Sequence, residues 1–294
     1  MLWAVFTLLA AAAQTARNAM QRELTATLGT VGATHVRFLF GFPFALVFLA
    51  GVLLVTGSAL PYPGLAFWPW VIGGLLAQIA ATATMLSVMG QRSFVVAYAY
   101  IKTEPVSVAL FGLIFLGDKI TPLSAAAILI ATAGVIVISL KPGTGEDRTT
   151  RSTIVGLLSG ALFALSAIGY RGAILSLHLH DFVLAATFTV TVGLVIQAAV
   201  LSLYLWLRDR QVLRAIMRAW KPSMFAGFMG AFASEFWFLG FAITSAANVR
   251  TLALVEVLFA QGVTRFVFKQ PTTAREVAGI VLVVIGVALL IWAY

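Results

Sequence analysis

The stretch YAYIKTEPVSVALFGLIFLGDKIT, residues 98–121, has a counterpart in RTLALVEVLFAQGVTRFVFKQPTT, residues 250–273. At a constant offset of 152, Glu104 falls on Glu256 and Thr121 on Thr273. The register continues without a gap through Ala126 on Ala278, Gly134 on Gly286 and Val135 on Val287. Near the start, an offset of 154 sets Ala13 on Ala167, Arg17 on Arg171 and Ala19 on Ala173. Alanine and valine coincidences are cheap in an apolar chain, but an acid and an arginine recurring at matched depth in apolar runs are not. The register divides the chain into a first copy, 1–141, a linker, 142–152, and a second copy, 153–294.

The copies are built from membrane spans. Of 294 residues, 61% are hydrophobic and 10% charged, with mean hydropathy +1.03; soluble domains carry about 25% charged residues. With no cysteine the chain is not a disulfide scaffold, and its apolarity excludes a disordered segment and argues against a soluble enzyme. A span needs about 20 apolar residues. Ten fit, near 2–21, 31–56, 67–89, 94–116, 121–140, 153–176, 182–207, 222–245, 247–268 and 274–293, leaving only short loops. Residues 2–13 read as the first span rather than a cleaved leader, because no cation precedes them. The predicted fold is therefore an all-α polytopic membrane protein of ten transmembrane helices. Five per copy is odd, so the second copy enters the bilayer inverted, and the two repeats surround a central cavity, an arrangement that supports alternating access.

A net charge of +9 and a pI near 10.4 would suggest nucleic acid in a soluble chain. Here the cations gather in alternate loops: Arg22; Arg92; Lys141, Arg148 and Arg151; Arg208, Arg210, Arg214, Arg218 and Lys221; Lys269 and Arg275. Cytoplasmic loops are the basic ones, so both termini are expected outside, in the periplasm if the membrane is a bacterial inner membrane. The segment 208–221 reads as a solvated loop in preference to a basic amphipathic helix on the inner leaflet. The expected partners are a small-molecule substrate, the lipid bilayer and protons, not nucleic acid; monomer and homodimer both fit.

Residues 98–106 followed by Phe115-Leu116-Gly117-Asp118-Lys119 resemble the fourth-helix signature of EamA-type transporters of the drug/metabolite transporter superfamily. His35-Val36-Arg37-Phe38 is similar to the Arg-Phe pair of that family's second helix. The second copy departs from the pattern, with Glu256-Val257 for Glu-Pro and Lys269-Gln270-Pro271 for the Gly-acid-cation end, and the first helix lacks Trp-Gly-x-Asn. The resemblance implies ten helices in two repeats, a central cavity and movement of small metabolites, often outward.

Charge inside a bilayer is expensive and faces a cavity or a partner. The candidates are Arg37, Lys102, Glu104, Arg171, Glu235 and Glu256, with Arg250 nearer a boundary; Tyr98, Tyr100, Gln78, Tyr170, Trp237 and Asn18 are polar or aromatic candidates for orienting substrate. Both signs occur, which suits a zwitterion or a mixed-polarity anion better than a simple cation. Lys102 and Glu104 lie about 200° apart on a helix and so do not pair with each other. Glu104 either serves the cavity or pairs structurally, with Arg37 as the candidate partner. Pro105 removes a backbone hydrogen bond beside it. Glu235, among aromatics in Ser234-Glu235-Phe236-Trp237-Phe238, is a carboxyl able to trade a proton as its access to water changes. Trp237 either stacks on substrate or faces lipid. Gly156 and Gly160 serve helix packing.

No zinc helix, nucleophile elbow or P-loop is present. His178-Leu179-His180-Asp181 alone resembles metal ligands and sits in a tight loop, so no metal, cofactor or catalytic residue is expected and the chain reads as no enzyme. The expectation is a secondary exporter of a small polar or amphipathic metabolite such as an amino acid, coupled to protons through Glu104, Glu256 or Glu235. A flippase for a lipid-linked or amphiphilic substrate and a nucleoside or drug carrier are the alternatives.

Overall fold

The computed structural model describes residues 1–89, 99–139, 150–259, 261 and 273–294. Among these every regular element is helical, an all-α polytopic membrane protein. The helices are α1 (Leu2–Leu39), α2 (Phe42–Thr56), α3 (Phe67–Met89), α4 (Glu104–Phe111, continued by a π-turn Gly112–Leu116) and α5 (Pro122–Ser139). Then follow α6 (Thr150–Ser176), α7 (Phe182–Arg208), α8 (Arg210–Arg218), α9 (Trp220–Ile243), α10 (Ala246–Leu252, continued by a 3-10 turn Ala253–Val255) and α11 (Ala274–Trp292). Eight stretches are long and apolar enough to cross a bilayer, two short of the ten expected. The difference lies at 2–21, joined to the next helix within α1, and at 247–268, where 260 and 262–268 are outside the described residues.

Local chemistry sets the ends. Gly57 (φ 63°) and Gly117 (φ 66°) close α2 and the α4 stretch in the left-handed conformation that glycine adopts freely. Asp181, Asp209 and Ser245 cap α7, α8 and α10 by accepting backbone N–H bonds, and Thr273 with Glu276 forms a capping box on α11. Thus Asp181, one of the residues that resembled a metal ligand, serves as a helix cap.

The first two expected spans meet at one residue. Gly29 has φ 68° and ψ 176° inside α1. Gln21 Nε2 donates to the carbonyl of Ala33 at 2.9 Å, whereas residues 12 apart in a straight helix lie about 18 Å apart. The chain therefore doubles back at Gly29, and α1 is two arms, 2–28 and 30–39.

The broadest helix contacts are α1 with α9, α3 with α6, and α5 with α11. Exchanging the first five expected spans for the last five maps α1–α9 onto α6–α3 and leaves α5–α11 on itself. Backbones touch at these crossings: a Cβ on Gly169 would lie 2.6 Å from Gly74 Cα, and one on Gly134 2.7 Å from the Gly279 carbonyl. The interior holds Phe38, Phe67, Tyr170, Trp237 and Phe241, while Leu54, Val55, Leu113, Ile114 and Val284 stand exposed on the outside. An apolar exterior of this kind belongs in lipid.

The two membrane faces differ. The Trp3 and Tyr294 rings lie 5.3 Å apart, so both ends of the chain share one face. At the other end of the bundle, α8 carries Arg210, Arg214 and Arg218. Here the structure corrects the loop expected over 208–221: Asp209 caps a short amphipathic helix whose buried Ile216, with Val212 and Leu213, packs in a cluster with Leu24, Leu28 and Leu205.

Candidate functional site

The fourth span is broken beside its charged residues. The helix through Ala99–Ile101 yields to a turn at Lys102 and Thr103, and α4 restarts at Glu104 with Pro105 in its first turn. Adding the repeat offset of 152 to 101–103 gives 253–255, where α10 tightens into its 3-10 turn before Glu256. Proline accompanies the interruption only in the first copy, so it is not what imposes the second. Both repeated acids sit where a membrane helix changes its winding, a place where backbone and side-chain polarity converge.

Each acid is paired across the copies. Glu104 Oε1 lies 3.0 Å from Arg250 Nε, and Lys102 Nζ contacts Glu256 Oε1. All four side chains are buried. These crossed pairs join the α4 stretch to α10 and the turn after it: residues 102–104 give a cation and an acid, and residues 250–256 return a cation and an acid. The opposed directions of Lys102 and Glu104, legible in the sequence, let each reach a different partner. Arg250, not Arg37, pairs with Glu104. Its guanidinium also lies over the Trp237 ring, 4.5 Å from the centroid, and 5.5 Å from that of Phe241.

Arg250 opens onto a closed central cavity shared with Gln14, Arg37, Gln78, Phe163, Tyr170, Ser234, Trp237, Phe238 and Phe241. Its volume of about 10 Å³ is room for a single water. Arg37, from α1, is 2% exposed; its one hydrogen bond among the described residues is a donation to Ser234 Oγ at 3.3 Å, and its guanidinium lies 5.3 Å from the Phe38 ring centre. Tyr170 Oη donates to Gln78 Oε1 at 3.1 Å, and Gln197 Nε2 donates to the same oxygen at 3.0 Å. Trp237 Nε1 donates to Gln14 Oε1 at 3.2 Å. The lining therefore combines two guanidinium groups, an amide–phenol network and four further aromatic rings, from residues on α1, α3, α6, α9 and α10. Such a set can receive a carboxylate on arginine, direct polar hydrogen bonds at amides and cover an apolar portion with rings.

The remaining candidates lie elsewhere. Arg171 donates to the carbonyls of Phe241 and Thr244 and pairs with Asp118 at 3.3 Å, tying α6 to the end of α9 and to the loop after α4. Asn18 accepts from Arg17 at 2.8 Å. Tyr100 is half-buried and does not line the cavity; its carbonyl, with that of Ile101, lies against Gly160 of α6. Glu235 points away from the cavity and accepts from Thr187 Oγ1 at 2.5 Å. Tyr98 lies outside the described residues, as do Arg92, Lys141, Arg148 and Lys269 of the loop assignment. Sequence reasoning missed Gln197, although a lone glutamine within TVGLVIQAAV carries the same signal that singled out Gln78.

Comparison with known proteins agrees with this architecture. Residues 150–292 match the EamA-like transporter family. The match covers just under half of the chain, the part in which the fourth-helix signature is less complete. No curated protein sequence matches the chain. A solved structure titled only "Crystal structure of protein" superposes with a TM-score of 0.70 at 14% identity, covering 98% of this chain and 94% of that one. That likeness establishes a shared fold.

Proposed function

We propose, from the match of residues 150–292 to the EamA-like transporter family, that this chain is a membrane transporter that exports a small polar or amphipathic metabolite, such as an amino acid, across a bacterial inner membrane. The central cavity carries this reading: Arg37 and Arg250, the Gln78–Tyr170 network and Trp237 converge from both copies on a closed space. A substrate carboxylate would sit against Arg37, whose guanidinium has a neutral hydroxyl as its hydrogen-bond partner, while Trp237, Phe238 and Phe241 cover an apolar side chain.

The cavity, with room for one water, has to widen to take a metabolite, and the crossed ion pairs are the contacts that would rearrange as it opens to either side. Two inverted repeats, 1–141 and 153–294, explain the swap symmetry of the helix contacts and make both openings similar in energy. A substrate ammonium competing with Arg250 for Glu104 would loosen one pair, and a proton on Glu104 or Glu256 would loosen either. The coupling assignment is therefore Glu104 and Glu256, with Glu235 in reserve.

Reconstitution into vesicles with an imposed pH gradient tests this. Amino-acid flux driven by the gradient should fall in Glu104→Gln and Glu256→Gln vesicles. If both variants, and Glu235→Gln, keep wild-type gradient-driven flux, carboxylate coupling is wrong. If the wild type moves no water-soluble metabolite, the export reading is wrong as well.

A further inference from the structure

Glu235 lies one residue beyond Ser234 in α9, yet it serves a different space. A groove of about 680 Å³ runs between α2, α7 and α9, with Phe48, Gly51, Val52, Phe232 and Phe236 among its walls. None of its lining residues lines the central cavity. Val55, at its edge, is 88% exposed and Leu54 beside it 84%, so the mouth faces acyl chains once the helices sit in a bilayer.

The groove's polar groups are of one kind. They are the Glu235 and Asp181 carboxyls and the Thr56 hydroxyl, and no basic side chain lines it among the described residues. Asp181 Oδ1 is occupied by the backbone N–H groups of Val183 and Leu184. Glu235 is 9% exposed; Thr187 satisfies Oε1, whereas Oε2 has no hydrogen-bond partner among the described residues. A buried carboxylate oxygen without a hydrogen-bond partner, beside an apolar cleft, awaits a donor or a cation. The Phe232 and Phe236 rings, 4.7 Å apart, add faces that attract positive charge.

We propose that this groove is a second binding site, entered from the lipid phase, for an amphiphilic cation: an ammonium or phosphonium bearing bulky apolar groups. The charge sits at Glu235 and the apolar groups fill the cleft beside Gly51. Glycine at 51 keeps the cleft open, since a Cβ there would meet nothing within 4 Å. This site shares no lining residue with the metabolite cavity, and Gly51→Phe tests it without touching any of the coupling carboxylates.

The test is equilibrium binding of tetraphenylphosphonium to the purified full chain in detergent, with tetraphenylborate as an anion of the same shape. Saturable binding of the phosphonium and none of the borate is expected. Glu235→Gln should weaken phosphonium binding by about tenfold or more, because it removes the charge from a site of low polarity. Gly51→Phe should weaken it as much by filling the cleft, with an unchanged thermal midpoint. Equal retention of both ions, or phosphonium binding by Gly51→Phe as tight as wild type, overturns the site. Should Glu235→Gln fail to fold, Gly51→Phe and the borate control decide the matter.

Discussion

Neutralising the Glu104–Arg250 pair one member at a time, and then both together, measures how strongly the two copies are joined. At 3.0 Å and an effective dielectric of about 20, opposite unit charges attract by roughly 5.5 kcal/mol. Burial removes several kcal/mol of hydration from each ion, so the net worth of the intact pair is small. Removing one partner is different, because it strands the other charge: Glu104→Gln and Arg250→Gln should each lower stability by about 3–5 kcal/mol. Arg250→Gln also loses its stack on Trp237, worth about 1–2 kcal/mol, and the double-mutant comparison removes that private contribution. The double variant strands no charge and should therefore fall less far than either single variant, giving a coupling energy of at least about 2 kcal/mol. Reversible unfolding in mixed detergent micelles, followed by tryptophan fluorescence, supplies the free energies. A coupling below about 0.5 kcal/mol would refute an energetically significant bridge between the fourth and ninth spans.

Three further outcomes follow from other parts of the molecule. Arg37→Lys should raise the KM for transported substrate by about tenfold or more with little change in thermal midpoint, because lysine keeps the charge but loses the planar fork that holds a carboxylate. Gly169→Ala should cost about 1–3 kcal/mol, since its new Cβ would lie 2.6 Å from the backbone of Gly74, while Gly51→Ala should be close to neutral; thermal unfolding in detergent compares the two. A green fluorescent protein fused after Tyr294 should stay dark and a periplasmic phosphatase there should be active, with both results reversed if the basic face carrying α8 lies outside.

The fold was legible because its strongest determinants are local. Apolar length identifies spans without any knowledge of how helices dock. Arg37, Gln78, Tyr170, Trp237 and Arg250 were visible for the same reason, as polar or amphipathic groups in runs where such groups are costly. Partner choice was not local. Glu104 meets Arg250 rather than Arg37 because of the angle at which the fourth and ninth spans cross, a property of packing between distant segments. A reversal was expected between the spans at 2–21 and 31–56, but not that one positive-φ residue, Gly29, would carry it within a helix running to 39. Around 210–218, positive charge suggested solvent, yet a cap at Asp209 and three apolar residues on one face were enough to build a helix against the bundle.

The crossed pairs also bear on how the chain is made. Ribosomes deliver residues 102 and 104 to the bilayer well before 250 and 256, so Lys102 and Glu104 enter ahead of the partners they hold in the folded chain. The crossed pairs are therefore contacts that close late, once both stretches are in place.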